Sequence, residues 1–407
     1  MPYIIGLNSG SSFDGVDAVL CSIDIGADSH PTPPKYIDAL TIDWPDDLRS
    51  SVVRAFENEL TIFELTRLNY AAGALYAEAV NTLLAKNNLT HEDIDVVGYD
   101  GQTIYQEPPD RPKIASLGEA SSLPLTDLWT KGGYPCGLFI VESGVVAART
   151  NITTVTQFRP VDHALCGSGA PLMQYLDFVA FRGLGRPVVT LNIGGIANLQ
   201  LADSDRSRMM AFDTGPGNVM IDHAMRRREG KEYDKDGETA AKGQVIEPLL
   251  EELLGHDFFE RKPPRSAWRL DFGSAYADDI LQRYPSASTE DLIATFTMFT
   301  ARSIENALTS FVLSKAAGLQ ELVASGGGTR NATLMKWLAE SIATHGIKLA
   351  LSDAYNMPAT YKEAIKFATL AFAAKRGLAN NIPAASGASG FAVLGKLTLA
   401  PYLAKGI

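Results

Sequence analysis

The sequence predicts a two-lobed α/β protein, and three observations carry that prediction. The chain has 407 residues, too many for one ordinary hydrophobic core and suited to two. Short apolar runs of strand character alternate with stretches whose apolar residues recur at helical spacing. Several of those runs end in glycine-rich loops, where open α/β sheets hold their ligands.

Residues 3–8 read as a buried strand, and residues 16–25 alternate well enough to pair with it across the turn at 9–15. Residues 36–42 supply a third strand. Thr61-Ile62-Phe63-Glu64 is a capping box, and Leu65, Leu68, Ala72, Leu75, Ala79 and Leu83 follow at helical spacing, which predicts a long amphipathic helix. Residues 94–99 form a short strand that delivers Asp100-Gly101-Gln102-Thr103 at its carboxyl end. Residues 115–137, rich in Gly, Pro and Ser around Trp129 and Tyr134, read as a loop excursion. A helix at 143–150 and a strand at 153–158 lead to Asp162, and residues 187–193 are a very apolar strand. Helices at 249–259, 288–313 and 334–344 and a strand at 322–325 complete the pattern. The change of lobe falls near residue 150, with the segment from about 380 returning to the first lobe.

Composition excludes several classes. Hydrophobic residues make up 46% and charged ones 20%, an ordinary globular balance. The formal charge is −11 and no Lys/Arg stripe is present, which argues against nucleic acid and requires any phosphate site to rely on local donors and a metal. The three cysteines, Cys21, Cys136 and Cys166, have neither disulfide-framework nor zinc spacing, so a reducing, cytoplasmic setting fits best. No apolar run approaches membrane-spanning length. The six histidines show no metal-ligand spacing, and no Gly-x-Ser-x-Gly elbow follows a clean strand.

The loops carry the chemistry. In Gly10-Ser11-Ser12-Phe13-Asp14-Gly15, small residues let amides and hydroxyls approach phosphate oxygens, and Asp14 can hold magnesium; an ordinary hairpin turn is the plainer alternative. The loop has no lysine, which excludes a Walker site. Asn192-Ile193-Gly194-Gly195 and Gly326-Gly327-Gly328-Thr329-Arg330-Asn331 suggest a nucleotide held from several sides. Asp213-Thr214-Gly215-Pro216-Gly217-Asn218 turns into a helix whose N-terminus can face an anion. Asp162, beside Gly167-Ser168-Gly169, sits where a carboxylate base acts, although a capping aspartate explains the local pattern equally well. Glu363 reads either as a solvated helix residue or as a functional one.

Together these segments resemble the anhydro-N-acetylmuramic acid kinase family, including its levoglucosan kinase branch, within the sugar kinase, actin and heat-shock chaperone superfamily. The likeness adds Phe158-Arg159, Gly169-Ala170-Pro171-Leu172, Tyr233-Asp234-Lys235-Asp236-Gly237, Lys362-Glu363-Ala364, Gly387-Ala388-Ser389 and Val393-Leu394-Gly395-Lys396, and so spans the chain. It implies duplicated ribonuclease H-like domains around a central cleft, and magnesium-ATP phosphorylating the 6-oxygen of a 1,6-anhydro sugar while water opens the bridge. By resemblance Asp162 is the general base. Residues 11–15 take the terminal phosphates, with Asp14 at the metal, and Gly194, Gly195 and Gly326 to Gly328 lie along the nucleotide. Asp100, Gln102, Thr103, Arg159 and Gly169 border the sugar, and Glu363 lies near the metal or the sugar. The resemblance leaves a homodimer open.

The chain departs from the family pattern at four places. Asp100 stands where His usually precedes Gly-Gln-Thr, Ser168 replaces Gln, and Cys166 replaces a neighbouring glycine. After Pro263-Pro264, Arg265-Ser266-Ala267-Trp268-Arg269-Leu270 replaces Lys-Ser-Thr-Gly-Arg-Glu. Residues 115–137 also look like an insertion in that pattern. These departures are expected to bear on the sugar pocket, and a carboxylate at 100 favours a neutral sugar if it faces the substrate; an Asp100 that points away and caps a turn is the equal alternative. A silent relative that keeps the fold without a competent pocket is the alternative from another class. A hydrolase with an acidic pair fits the glycine loops poorly.

Overall fold

The computed structural model describes residues 2–10, 15–116, 124–267 and 269–401. They fall into two compact units, Met1–Ala180 with Tyr361–Ile407, and Phe181–Thr360.

In the first unit β1 (Tyr3–Ser9), β2 (Gly15–Ser22) and β3 (Lys35–Asp43) form an antiparallel meander. β4 (Ile94–Gly98) lies parallel to β1, while β5 (Gln102–Glu107) and β6 (Cys136–Ile140) pair as a separate antiparallel ribbon. β7 (Thr154–Thr156) continues the main sheet parallel to β4, and the C-terminal strand Lys396–Thr398 closes that edge. Alternation along β1 sends Ile5 and Leu7 to the face covered by the helix Ile62–Lys86. Each is fully buried, which contributes about 1.5–3 kcal/mol apiece. That helix starts at the expected capping box: Glu64 N–H donates to the Thr61 hydroxyl, and Thr61 N–H to the Glu64 carboxylate. The opposite face carries Gly6 and, on β4, Gly98. A Cβ there would lie 2.0 Å from the Ala364 carbonyl or 2.3 Å from that of Phe367, so the helix Lys362–Lys375 rests its backbone directly on the two strands.

The second unit repeats this plan. β8 (Val188–Ile193), β9 (Ile196–Ala202) and β10 (Met210–Pro216) form the meander, β11 (Glu321–Ser325) runs parallel to β8, and β12 (Lys348–Leu351) parallel to β11. The order β10-β9-β8-β11-β12 matches β3-β2-β1-β4-β7 in strand sequence and direction, which is the duplicated ribonuclease H-like topology. Helices Thr289–Ala307 and Ala332–Ala343 cover this sheet through Ala301, Ile304, Leu334 and Leu338.

Two expectations change. The chain switches units at 180/181 and 360/361, not near 150 and 380. β7 is bonded to β4, which keeps the chain beyond 150 in the first sheet, and the close approach of Lys362–Lys375 to Gly6 and Gly98 brings the return forward. The excursion at 115–137 holds regular elements as well as loop: helices Arg111–Ser116 and Leu125–Thr130 flank residues outside the described range, and β6 begins at Cys136.

Candidate functional site

Asp162 lies on the short helix Arg159–Ala164, where Pro160 at the start presets the backbone. The residue is 1% exposed. Oδ2 accepts from the Gly169 amide and Oδ1 from the Ser386 hydroxyl, each at 2.8 Å. Both flanking glycines are sterically required. A Cβ at Gly167 would sit 2.1 Å from Asp162 Oδ2, and one at Gly169, whose φ is 65°, would sit 2.1 Å from His163 Nε2. Beside Asp162 is a cavity of about 10 Å³, lined also by Gly169, Gln174, Asn381 and Ser386. Burial, reinforced by the Arg159 guanidinium, holds the His163 imidazole below its ordinary value.

Asp100 turns toward the protein. Oδ1 accepts from Phe158 N–H at 2.8 Å and Oδ2 from Arg159 Nε at 2.5 Å. Arg159 also donates to Gln106 Oε1 and to the Gly169 carbonyl at 3.0 Å, so it links Asp100 to the residue that donates to Asp162. Gln102 is 4% exposed, and its Oε1 has no partner among the described residues. Thr103 pairs with Phe139 in the ribbon. Glu363, in the first turn of Lys362–Lys375, is bonded to the Lys366 ammonium. Desolvation pushes its carboxyl upward, but Lys366, Lys362 and Arg159 hold it below the usual carboxylate range. Lys362 is itself buried against Asp177 at 3.0 Å.

The second unit assembles the remaining glycine loops. β8 ends at Gly194-Gly195, whose carbonyls accept from the amides of Asn218 and Gly217, both at 2.8 Å. This brings the end of β10 onto the β8–β9 turn and starts the helix Val219–Glu229 there. A Cβ at Gly217 would meet the Gly194 carbonyl at 2.3 Å. Gly326, with φ 88°, passes Asn192 Oδ1, while Gly327 faces open space. Asn331 caps Ala332–Ala343 through Leu334 N–H. Gly327, Gly328, Asn218, Asn331, Asp222 and Tyr233 are among the residues lining a cavity of about 420 Å³, room enough for a nucleoside. Burial raises the Asp222 carboxyl there to about 7. It also raises Asp213 to about 6, against the Ala267 amide that donates to it at 2.7 Å.

The sequence model of the anhydro-N-acetylmuramic acid kinase family matches residues 2–125 and 127–400. The chain belongs to this family. It is similar to the anhydro-N-acetylmuramic acid kinase of Bacillus cereus (strain AH820), with 33% identity over 98% of this chain and 100% of the relative. It is 32% identical to that of Bacillus thuringiensis subsp. konkukian (strain 97-27) over the same shares. Among solved structures, the activator of 2-hydroxyisocaproyl-CoA dehydratase from Clostridium difficile with bound ADPNP matches at TM-score 0.42 and 12% identity, over 91% of this chain and 94% of that one. A likeness that weak carries no argument. As an anhydro-N-acetylmuramic acid kinase family member, the chain is a phosphotransferase acting on a sugar hydroxyl.

The structure brings Asp162, Arg159, Gly169 and Asp100 together in the first unit, with Glu363 under the field of Arg159. It brings Asn192, Gly194, Gly195, Gly217, Asn218, Gly326 and Gly328 together in the second. Gly215 packs on Ser303. Gly10 and Gly15 flank the β1–β2 turn, and Ser11, Ser12 and Asp14 lie outside the described residues. Two departures from the family pattern bind backbone carbonyls. Arg265 belongs to the second unit, where it donates to the carbonyls of Asp213, Thr214, Phe259 and Arg261 and so fixes the Asp213 strand. Ser168 donates from its hydroxyl to Ala170 O and from its amide to Ser386 O. Cys166 adopts φ 61°, the left-handed conformation that favours the family's usual glycine. No sequence signal singles out Ser386 or Gln174 themselves, although the family likeness includes the adjoining Gly387, which ends the helix Pro383–Ser386 with φ 76°, and the nearby Leu172.

Proposed function

We propose that this kinase opens a 1,6-anhydro bridge with water and transfers the ATP γ-phosphoryl group to the freed 6-oxygen, in the cytoplasm. The observation that carries the reading is Asp162: a buried carboxylate held by two donors, next to a cavity of single-water size. Asp162 takes a proton from water as that oxygen attacks the anomeric carbon. The bond from that carbon to the 6-oxygen breaks, and the 6-oxygen becomes the nucleophile toward phosphorus, so one base serves both halves. Gln102, buried with an unpartnered Oε1, suits a sugar hydroxyl donor.

ATP fits the second unit, where the 420 Å³ cavity borders the Gly326 to Gly328 loop. Magnesium, bound with ATP, would neutralise phosphate charge, and Asp14 is the carboxylate assigned to it. Glu363 suits a hydroxyl-accepting role better than a metal one, because Lys366 bonds it and Lys362 and Arg159 add positive charge. A second reading concerns the sugar. Arg159, Lys362 and Lys366 are each already paired, with Asp100, Asp177 and Glu363, which favours a neutral substrate of the levoglucosan type over one with a lactyl carboxylate. ADP release from magnesium-ATP across a panel of anhydro sugars tests both readings. Turnover on an anhydro sugar with formation of the 6-phosphate supports the kinase, and greater efficiency on anhydro-N-acetylmuramic acid than on levoglucosan defeats the neutral preference. No turnover on any sugar makes the chain a silent relative. Light scattering decides whether it is a homodimer.

A further inference from the structure

We infer that Gln174 holds the reacting water, an inference that rests on the assignment of Asp162 as base. Gln174 is the second residue of the helix Met173–Phe181 and is 2% exposed. Its Nε2 has no hydrogen-bond partner among the described residues. A buried amide donor left unsatisfied is costly, and native proteins satisfy such groups with protein or ordered water. Gln174 and Asp162 line the same cavity, whose volume of about 10 Å³ is that of a single water site. A buried water needs two to four polar partners, and this cavity supplies a donor and an acceptor of the required kinds. Asp162 Oδ1 and Oδ2 each accept one bond, from Ser386 and Gly169, and each keeps a second lone-pair site.

The roles follow from the chemistry. The Gln174 amide N–H points at the water oxygen and orients it. Asp162 accepts one water proton, the water oxygen bonds to the anomeric carbon, and the electron pair of the breaking carbon–oxygen bond stays on the 6-oxygen. An amide donor cannot remove that proton, so Gln174 positions the nucleophile and Asp162 activates it. Neither role requires contact with ATP.

Gln174→Leu keeps the side-chain size and removes the donor. Its kcat on the preferred anhydro sugar should fall about ten- to a hundredfold with the ATP KM within twofold, the loss expected for a bond that orients a reacting group. In an Asp162→Asn background the same substitution should cost less than about twofold, because the water is no longer activated. An unchanged kcat in Gln174→Leu, or an equal loss in both backgrounds, overturns the inference. Gln174→Met provides the same test should the leucine variant fold poorly. A high-resolution crystal structure of the parent should show a water within hydrogen-bond distance of Gln174 Nε2 and Asp162, and a dry cavity overturns the inference as well. Parental turnover in Asp162→Asn alone would instead remove the base assignment, leaving the crystallographic water to be judged separately.

Discussion

Replacing Asp100 by Asn tests whether this carboxylate serves the protein or the sugar. Its side chain is 2% exposed and that of its partner Arg159 is 17% exposed, so solvent screens the pair little. Breaking a buried pair costs about 3–5 kcal/mol when the surviving charge is left alone. Arg159 keeps Gln106 Oε1, the Gly169 carbonyl and the Phe139 ring, and the asparagine oxygen can still accept one bond. The expected loss is therefore about 2–3 kcal/mol. Because the chain has two units, whole-protein melting is not two-state, and the effect is best read locally by hydrogen exchange of peptides spanning β4 and Arg159–Ala164. Exchange should accelerate roughly 30- to 150-fold there, the equivalent of that energy. Asp100→Asn and Asp100→His should both lower kcat/KM, through Arg159 and Gly169, by the same factor on levoglucosan and on anhydro-N-acetylmuramic acid. Unchanged exchange, or a tenfold change in the ratio between the sugars, refutes the assignment of Asp100 to Arg159.

Two further outcomes are expected. Desolvation raises the Asp222 carboxyl from 3.8 to about 7, so between those values the unfolded chain is ionised while the folded one holds its proton. Stability therefore declines as pH rises through that window. Asp222→Asn should slow hydrogen exchange of peptides spanning Val219–Glu229 near pH 8 and leave it unchanged near pH 4, and an equal change at both disproves the attribution. Ser386→Ala removes a donor to the Asp162 carboxylate and should cut kcat about tenfold with ATP affinity intact, while Ser386→Thr retains most activity; equal activity in both variants would count against it.

Local signals were legible in the sequence, and long-range ones were not. The Thr61 capping box and the β1–β2 hairpin depend on neighbouring residues, and both stand as read. Asp162 stood out because Gly167 and Gly169 follow it closely, and the structure shows why neither tolerates a side chain. Ser386 bonds Asp162 across 224 residues, and no spacing rule announces such a contact. Asp100 looked ligand-facing because it ends a strand; its true partner, Arg159, follows β7, and only strand pairing brings β7 beside β4. The unit boundaries were misplaced for the same reason. Glycines at 6 and 98 permit the helix Lys362–Lys375 to lie on the first sheet, but their meaning appears only once the helix is seen against them.

The role of Asp162 is tested most directly by Asp162→Asn, with turnover on the preferred anhydro sugar and ATP affinity by calorimetry measured on the same preparation. If the carboxylate activates water, kcat falls by about 100- to 10,000-fold, the range for a lost general base, and the Kd for ATP stays within twofold. A kcat within a few-fold of the parent, or a parallel loss of ATP affinity, contradicts that role.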